Sequence, residues 1–280
     1  MNKGLLPMVI LMLVLMGCQM EETPMPTITP TPFIGDARIE LGDITMYFEA
    51  QGEGQPLLLL HGGFGSAKVW VNQIPLFSEK WYVITPDSRG QGRTTDSNAP
   101  LSYHLMAEDM VRLMDHLGIK SAYIVGWSDG GIIGIDIAIH HPEHVKALVA
   151  FGANTSPAGY QDGFLEYVRT VTVDDLKLTL GEHYIEMMPD PEHFPTMLEK
   201  VRRLYLTEPN FTQEQLASIQ IPTLILDGQN ETVIHIEHAR AIAASIPNAE
   251  LVILPDVGHA AVTENPDAWN RVVLDFLRDQ

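Results

Sequence analysis

The sequence predicts an α/β fold in which a mostly parallel sheet carries helices on both faces and a helical cap is inserted between two strands. Short apolar runs alternate with amphipathic stretches from about residue 36 onwards, and strands separated by helices are typical of parallel pairing. This alternation stops between Phe151 and Ile221, where about seventy residues contain no good strand. A chain of 280 residues accommodates one such domain of roughly 250 residues together with an appendage.

Seven strands and four flanking helices are expected along the domain. The strands are expected at residues 38–50, 57–60, 81–85, 122–125, 145–151, 223–226 and 251–254. The flanking helices are expected at residues 102–117, 132–140, 238–246 and 268–277, where apolar side chains recur at helical spacing. The cap is expected at about residues 158–216, with helical patterns at 164–168 and 196–205 that prolines interrupt.

The first seventeen residues have the pattern of a signal peptide. Lys3 precedes an apolar run from Gly4 to Met16, which is shorter than the ~20 residues that a membrane-spanning helix needs and has the length of a signal-peptide core. The run ends in Leu15-Met16-Gly17-Cys18, which resembles the bacterial lipoprotein signal, in which a small residue precedes a cysteine. The resemblance implies that Cys18, the single cysteine, is the lipidated first residue of the mature chain. An uncleaved anchor and an ordinary secretory signal remain alternative interpretations.

Residues 18–35 are expected to form a tether between this lipid and the domain at residues 36–280. Proline alternates with threonine in this stretch, and no apolar periodicity is present. Such a composition favours extended polyproline conformation and cannot bury a core. The expected location is therefore the bacterial cell envelope, outside the cytoplasm, with membrane contact made by the lipid.

The composition is that of an acidic globular protein. Hydrophobic residues make up 45% of the chain and charged residues 19%, which excludes disorder for most of it. The formal net charge of −19 argues against a nucleic-acid partner, because nucleic-acid binding requires basic patches. Two interpretations of the acidity remain open: a surface that repels anionic substrates, or a surface whose charge only maintains solubility.

The strongest functional signal is Gly126-Trp127-Ser128-Asp129-Gly130. This motif follows an apolar strand and opens a helix, and G-x-S-x-G in that context is a nucleophile elbow. The serine then lies on a strained turn, and the flanking glycines remove side chains that would clash where strand and helix approach each other. The helix N-terminus also places positive dipole beside the developing negative charge. Ser128 is therefore predicted to be a catalytic nucleophile.

A glycine-rich turn, Leu59-Leu60-His61-Gly62-Gly63-Phe64-Gly65, ends an early strand. Acyl transfer passes through a tetrahedral oxyanion, which needs backbone N–H donors aimed at it. The predicted donors are the N–H of Asp129 and the N–H of Gly63 or Phe64. His61 is expected to hold this loop rather than to act as a base.

The general base is expected after the last strand, where Asp256-Val257-Gly258-His259 follows. A neutral imidazole at His259 can take the proton of Ser128 and later return it to the leaving group. The carboxylate that orients His259 is expected on the turn after strand 223–226. Glu231 is favoured for this role, with Asp227 at the strand end as the alternative.

These motifs resemble those of the α/β-hydrolase superfamily over about residues 36–280. The matching features are the chain order Ser128, Glu231, His259, the motifs His61-Gly62 and Asp87-Ser88-Arg89-Gly90-Gln91-Gly92, and Gly258-His259 followed by Glu264-Asn265-Pro266. Two further motifs look like the branch that holds valacyclovir hydrolase and the enol-lactone hydrolases: Gly126-Trp127-Ser128-Asp129-Gly130-Gly131 and Phe151-Gly152-Ala153-Asn154. One departure is Glu231, where most members carry aspartate. Serine at position 128 argues against dehalogenases and epoxide hydrolases, whose nucleophile is aspartate.

The resemblance implies a serine hydrolase of small carboxylic esters or lactones that needs no metal and no organic cofactor. Cleavage of a carbon–carbon bond and cofactor-free perhydrolysis, both with the same triad, are alternatives, and a non-catalytic tethered binding protein is another. Similarity to valacyclovir hydrolase implies that Asp129 binds a substrate amino group, and Trp127 is a second candidate for substrate contact. The alternative for Asp129 is that its carboxylate only caps the following helix or faces a loop.

Overall fold

The computed structural model describes residues 33–280. The predicted signal peptide, the predicted lipidation site Cys18 and residues 18–32 of the predicted tether lie outside the described residues. In the described part of the chain, no helix combines the length and the apolar character needed to cross a bilayer.

Eight strands form one sheet within residues 33–280. They are β1 (Gly35–Leu41), β2 (Ile44–Gln51), β3 (Gln55–Leu60), β4 (Trp81–Pro86), β5 (Ala122–Trp127), β6 (Val145–Phe151), β7 (Thr223–Gly228) and β8 (Ala249–Leu254). Their order across the sheet is β1-β2-β4-β3-β5-β6-β7-β8. Strand β2 pairs antiparallel with β1 and β4, and the other neighbours pair parallel. The carboxyl ends of the parallel strands therefore meet at one edge, where ligands bind in open α/β sheets.

The first edge of the sheet differs from the prediction of one strand at residues 38–50. The structure has two strands there, β1 and β2, joined by a tight turn in which Leu41 pairs with Ile44 and Gly42 adopts a φ of 71°. Glycine adopts a positive φ without steric cost, and two-residue hairpin turns require it. The prediction of a single strand is therefore wrong, because alternating apolar and polar residues on both sides of the Gly42-Asp43 turn signal read as one continuous strand.

Eleven α-helices connect or flank the strands in the described residues. They are α1 (Ile74–Phe77), α2 (Tyr103–His116), α3 (Asp129–His140), α4 (Phe164–Thr170), α5 (Val173–Leu180), α6 (Glu182–Glu186), α7 (Phe194–Thr207), α8 (Gln213–Ser218), α9 (Ile236–Ser245), α10 (Ala261–Glu264) and α11 (Pro266–Arg278). Short 3₁₀ turns occur at Ala67–Asn72, Pro142–His144, Pro157–Gly159 and Pro191–His193. The four flanking helices predicted from periodicity correspond to α2, α3, α9 and α11, with ends that differ by a few residues.

The two faces of the sheet bury separate apolar clusters, because side chains alternate along each strand. In β3, Leu58 and Leu60 pack in the cluster that contains α2 and α3. Leu57 and Leu59 pack on the opposite face, in the cluster that contains α11. Helices therefore cover both faces of a mostly parallel sheet, which confirms the predicted fold class.

The interval between β6 and β7 contains helices α4 to α8. Helices α4 and α7 correspond to the predicted patterns at residues 164–168 and 196–205, whereas α5, α6 and α8 were not predicted. These three helices are too short to show a clear apolar period. Two of them nevertheless begin with a capping box. Thr172 and Asp175 form the box at the start of α5, and Thr212 and Gln215 form the box at the start of α8.

A buried arginine holds the loop that follows β4. The side chains of Arg89 and Asp109 are both 0% exposed, and the guanidinium donates two hydrogen bonds of 2.8 Å to the Asp109 carboxylate. It also donates to Asp43 at 2.9 and 3.0 Å. In the same loop, the N–H of Ser88 donates to His61 Nε2 at 2.9 Å. The loop is thereby held against the turn that follows β3.

The substitution Arg89→Met is expected to destabilise the fold by about 3–5 kcal/mol, because it leaves the Asp109 carboxylate buried without its charged partner. Arg112→Met is the matched control, since Arg112 donates to the same carboxylate at 3.2 Å but its side chain is 45% exposed. Its loss is expected to cost about 1 kcal/mol or less. Urea unfolding followed by circular dichroism measures both. Equal unfolding midpoints for the two variants would contradict the role given to Arg89.

Candidate active site

Ser128 lies on the turn between β5 and α3 in a strained backbone conformation. Its φ is 55° and its ψ is −119°, a region that residues other than glycine seldom adopt. A Cβ on Gly126 would lie 2.2 Å from the carbonyl oxygen of Gly130, and a Cβ on Gly130 would lie 2.0 Å from that of Leu60. Both glycines are therefore required where β3, β5 and α3 approach one another. This close approach holds the Ser128 side chain at the edge of the sheet.

His259, after β8, and Glu231, after β7, are joined by a hydrogen bond of 2.8 Å between Nδ1 and Oε2. The second oxygen of Glu231 accepts from the N–H groups of Val233 at 2.6 Å and Ile234 at 3.3 Å. Although burial raises it, the hydrogen bond and the charge of His259 hold the pKa of Glu231 below its usual range. The ionised carboxylate orients the ring with Nδ1 as donor, which leaves Nε2 free to accept a proton.

Two further contacts position His259. Trp127 Nε1 donates to the carbonyl oxygen of His259 at 2.7 Å. Gly152, directly after β6, has a φ of 60°, and a Cβ there would lie 2.9 Å from Cε1 of the imidazole. In the sequence Gly152 stands only as part of a motif, and its contact with the ring was not predicted. Trp127, predicted as a candidate for substrate contact, therefore helps to hold His259.

Ser128 and His259 line one cavity of about 150 Å³. The structure thus brings the predicted nucleophile and base together, with Glu231 on the far side of the imidazole. Within residues 33–280, no hydrogen bond joins the Ser128 hydroxyl to His259. In ligand-free enzymes this bond is often long and tightens only when substrate binds.

The predicted oxyanion donors lie beside Ser128. Gly63 and Asp129 line its cavity, and Phe64 lines the chamber next to it. In the part of the chain that the structure describes, the N–H groups of these three residues have no hydrogen-bond acceptor. The turn itself is closed by a bond of 3.0 Å from the N–H of Gly65 to the carbonyl of Gly62, and Phe64 adopts a φ of 52°. Free backbone donors beside a nucleophile are what a tetrahedral oxyanion requires.

His61 connects two loops and lies away from proton transfer. It is 1% exposed, its Nδ1 lies 2.7 Å from the carbonyl oxygen of Gly62, and its Nε2 accepts from Ser88. Burial lowers the pKa of His61, so the ring is neutral and donates from Nδ1. Both nitrogens are therefore used to hold the oxyanion turn against the loop that Arg89 anchors, in line with the role expected from the sequence.

The Asp129 carboxyl is held by two tyrosines. The Tyr103 hydroxyl donates to Oδ1 at 2.9 Å, and the Tyr205 hydroxyl donates to Oδ2 at 3.1 Å. Burial raises the pKa of Asp129 to about 6, although both hydroxyls lower it. The carboxyl makes no capping bond to α3 within residues 33–280, so the helix-cap interpretation is wrong. It instead links the nucleophile turn to α2 and to α7.

The two tyrosines are site residues that the sequence does not reveal. Tyr103 begins α2, and Tyr205 lies in the last turn of α7, so no local pattern associates either of them with Ser128. One indirect signal is present in the glycine-rich turn. A Cβ on Gly63 would lie 1.7 Å from the Tyr205 hydroxyl oxygen, which explains why glycine stands there.

Asp227, the alternative acid, lies at the end of β7 and makes no hydrogen bond to His259 in the described residues. Its Oδ1 accepts from the N–H of Gly228 at 2.8 Å. Its buried Oδ2 has no hydrogen-bond partner within residues 33–280. Burial, followed by the charge of the neighbouring Glu231, raises the pKa of Asp227 to about 8. Asp227 is therefore protonated at neutral pH, and it is Glu231 that lies against the imidazole.

An apolar chamber of about 200 Å³ adjoins the cavity at Ser128. The two spaces share Gly63, Phe164 and Tyr205 as lining residues. The remaining walls are mainly apolar side chains of the helices between β6 and β7: Tyr167, Val168, Val171, Leu176, Leu180, Leu198 and Val201. Arg202 also lines the chamber, but its guanidinium is bound to backbone carbonyls, with Nε donating to Val168 at 2.9 Å and Nη2 donating to Val171.

Several known hydrolases are similar to this chain in sequence or in fold. A family model described as alpha/beta hydrolase fold matches residues 55–171, and one described as TAP-like protein matches residues 205–280. A RutD protein of Azorhizobium caulinodans, to which carbamate hydrolase activity is ascribed, is 29% identical over 260 residues, which cover 84% of this chain and 96% of that protein. A 2-hydroxy-6-oxononadienedioate/2-hydroxy-6-oxononatrienedioate hydrolase of Comamonas testosteroni is 26% identical, covering 89% of this chain and 96% of that enzyme. The solved structure of Est816, described as an N-acyl homoserine lactone degrading enzyme, has a TM-score of 0.70 at 26% identity, covering 86% of this chain and 100% of that chain.

The substitution Asp227→Asn is expected to stabilise the fold above neutral pH, with a gain that shrinks toward pH 4. The folded chain retains the Asp227 proton up to its raised pKa of about 8, whereas the unfolded chain has lost it, so stability falls as the pH rises through this window. Asparagine resembles the protonated acid and removes this cost, which is about 1.4 kcal/mol for each pKa unit. Thermal unfolding of both chains at pH 5 and pH 8 measures the effect. A difference in Tm that stays constant or narrows with rising pH would contradict a protonated Asp227.

Proposed function

We propose that this chain, an enzyme of the α/β-hydrolase superfamily, is a serine hydrolase that cleaves small neutral carboxylic esters or lactones through an acyl-enzyme on Ser128. One observation carries the proposal: Ser128 stands on a strained turn in the cavity of His259, whose Nδ1 is bound to the Glu231 carboxylate at 2.8 Å. A serine close to a histidine whose other ring nitrogen is bound to a carboxylate is the arrangement that supports acyl transfer.

In the proposed reaction, His259 Nε2 takes the hydroxyl proton of Ser128 as Oγ attacks the carbonyl carbon. The ionised Glu231 stabilises the imidazolium that forms. The bond to the leaving oxygen then breaks while Nε2 returns the proton to that oxygen, and the acyl group remains on Ser128. Water, deprotonated by the same nitrogen, attacks the acyl carbon and releases the carboxylic acid and the free serine.

The oxyanion of the tetrahedral intermediate is stabilised by backbone donors. In this proposal they are the N–H of Asp129 and the N–H of Gly63 or Phe64. Because these groups are held in tight turns and bond to nothing else in residues 33–280, they need little reorganisation in the transition state. A donor of this kind is worth about 3–4 kcal/mol of transition-state stabilisation.

The charges around the cavity favour a neutral substrate. Apart from His259, no basic side chain lines the cavity of Ser128 in the described residues, and Arg202 in the chamber is already bound to carbonyl groups. A dicarboxylate, such as the substrate named for the Comamonas relative, would bring two unpaired charges close to Asp129. Taking unpaired charges out of water is costly, and a neutral ester or lactone avoids this cost.

The two adjoining spaces favour a substrate with a small reactive head and an apolar acyl chain. The head would lie in the space of about 150 Å³ at Ser128, and the chain would lie in the apolar chamber of about 200 Å³. Each methylene buried there contributes about 0.8 kcal/mol. Acylated lactones, the substrate class named for Est816, combine these two parts.

Hydrolysis of a carbon–carbon bond is the second candidate function. It is favoured by the similarity to the Comamonas enzyme along 89% of this chain, and the same nucleophile and base would serve it. Cofactor-free perhydrolysis would use the same acyl-enzyme with hydrogen peroxide in place of water. We rank the carbon–carbon reaction second because, among the described lining residues, the one arginine, Arg202, is already bound to backbone carbonyls and cannot readily pair with a substrate carboxylate.

The proposed location is the bacterial cell envelope, with a lipid anchor on Cys18. Support comes from the sequence Leu15-Met16-Gly17-Cys18 after an apolar run and from the proline-rich stretch that follows it. This placement would expose the domain to substrates outside the cytoplasm.

A fluorophosphonate probe is expected to label the wild-type chain on Ser128, and the chain is expected to hydrolyse p-nitrophenyl esters and acylated lactones. Ser128→Ala should abolish labelling and lower kcat by about 10⁶-fold. Glu231→Gln should lower kcat by about 10³- to 10⁴-fold, because the imidazole loses the charge that orients it. Intact mass spectrometry measures the labelling, and steady-state assays measure kcat.

Asp227→Asn is the matched control for Glu231→Gln, since it removes the neighbouring carboxyl and should retain most of the kcat. A folded wild-type chain that neither reacts with the probe nor turns over any ester or lactone would overturn the proposal. Faster turnover of a vinylogous diketone than of every ester and lactone would instead select the second candidate.

The substitution Cys18→Ser is expected to remove the chain from the membrane fraction or to leave it with its signal peptide uncleaved, because the serine cannot carry the thioether-linked lipid. Membrane fractionation and intact mass of the full-length chain check this outcome. A variant that partitions and migrates like the wild type would contradict the lipid anchor while leaving the hydrolase proposal intact.

A further inference from the structure

Three side chains that can bind a metal ion meet where the first turn of α2 lies beside the last turns of α3. Asp136 and His140 are one helical turn apart on α3, and His104 reaches them from α2. Asp136 Oδ1 lies 2.9 Å from His104 Nδ1 and 3.1 Å from His140 Nδ1. The ligand atoms of all three residues lie within 4.8 Å of one another. None of the three lines the cavity of Ser128.

Asp136 is a buried carboxylate without a permanently charged partner. Its side chain is 3% exposed, and in residues 33–280 no lysine or arginine forms an ion pair with it. Its partners are the two imidazoles, which are neutral unless they are protonated. Because a buried charge is costly when no opposite charge accompanies it, a cation bound at this point would stabilise the carboxylate.

The donor types and their spacing suit a zinc ion. Zn²⁺ binds imidazole nitrogen and carboxylate oxygen at about 2.0–2.2 Å in a tetrahedral arrangement, which separates neighbouring donors by about 3.3 Å. The observed separations of 2.9 and 3.1 Å need to increase only slightly. The imidazoles of His104 and His140 are 53% and 36% exposed, so an ion can enter from solvent and keep water in its remaining position.

Glu108 lies near His104, but its carboxylate is bound by another histidine of the same surface. Glu108 follows His104 by one turn of α2, and its Oε1 lies 4.0 Å from His104 Nε2 and 2.6 Å from His141 Nε2. A metal-bound histidine usually donates its other ring N–H to a carboxylate or carbonyl group, which sets the tautomer and the orientation of the ring. Because Glu108 Oε1 is already bound by His141, the proposed site depends on His104, Asp136 and His140 alone.

We propose that His104, Asp136 and His140 form a binding site for a divalent transition metal ion, with Zn²⁺ as its preferred occupant. The bound ion ties the start of α2 to the end of α3. Tyr103, adjacent to His104, donates to Asp129 in the catalytic cavity at 2.9 Å, so the ion also stabilises the position of this tyrosine. The role is structural and is independent of the proposed acyl-enzyme.

A second group, His141, Glu143 and His144, lies nearby and supplies the control. Its carboxylate is 67% exposed, so it has no buried charge that a cation would neutralise. His144→Ala therefore removes a histidine of the same surface without touching the proposed site.

Titration of the EDTA-treated full-length chain, purified without a histidine tag, with ZnCl₂ in a calorimeter tests the site. About one ion per chain is expected to bind the wild type. His104→Ala and His140→Ala should each weaken binding at least about tenfold, whereas His144→Ala should bind like the wild type. Zinc at a hundredfold excess over Kd should raise the Tm of the wild type by roughly 5 °C or more, and it should not raise that of His104→Ala.

Because His104 is half-exposed, its replacement should leave the fold intact, and circular dichroism of the metal-free variants verifies this. Asp136→Asn gives a third, independent measurement if either histidine variant is unstable. The proposal would be overturned if the wild type showed no saturable zinc binding, or if His104→Ala and His140→Ala bound zinc as tightly as the wild type. Labelling of Ser128 by the fluorophosphonate probe in EDTA separates this outcome from a failure of the hydrolase proposal.

Discussion

The close approach of β3, β5 and α3 is the constraint on which the rest of the structure depends. It is possible only because Gly126 and Gly130 have no side chains, since a Cβ at either position would lie about 2 Å from a backbone atom. It forces Ser128 into a conformation with a φ of 55°. The strain is tolerated because the sheet and the helix on both sides are packed in two buried apolar clusters. The positions of Ser128, of the Asp129 N–H and of the N-terminus of α3 all follow from this close approach.

Around Ser128, three carboxyl groups have different environments and therefore different charge states. Glu231 is bound by His259 and by two backbone N–H groups, so it remains ionised and orients the imidazole. Asp227, buried beside it, has a pKa raised to about 8 and keeps its proton. The pKa of Asp129, about 6, is intermediate, because two tyrosine hydroxyls partly offset the effect of burial. A single negative charge thus lies behind His259, which suits the proposed reaction, in which His259 first takes the proton of Ser128.

Much of the site could be predicted because its chemistry requires local patterns. Ser128 lies between a strand and a helix with glycines at fixed spacing, and Glu231 and His259 follow the last two strands of the sheet. The hairpin at Gly42 could not be separated from a single strand, because apolar and polar residues alternate on both sides of its turn signal. The short helices α5, α6 and α8 show no clear period. The contacts of Asp129 with Tyr103 and Tyr205 could not be predicted at all. They join residues that are distant in sequence and become neighbours only when the helices after β6 pack over the edge of the sheet.

The central claim is that catalysis proceeds through an ester bond between the substrate acyl group and Ser128. Rapid mixing of the wild-type chain with excess p-nitrophenyl ester, followed by acid quenching, intact mass spectrometry and peptide mapping, measures this bond directly. The expected result is a mass increase equal to the acyl group, located on Ser128, together with an early burst of p-nitrophenol close to one equivalent per chain. Continued turnover with Ser128 unmodified throughout, or with the acyl group on another residue, would contradict the claim.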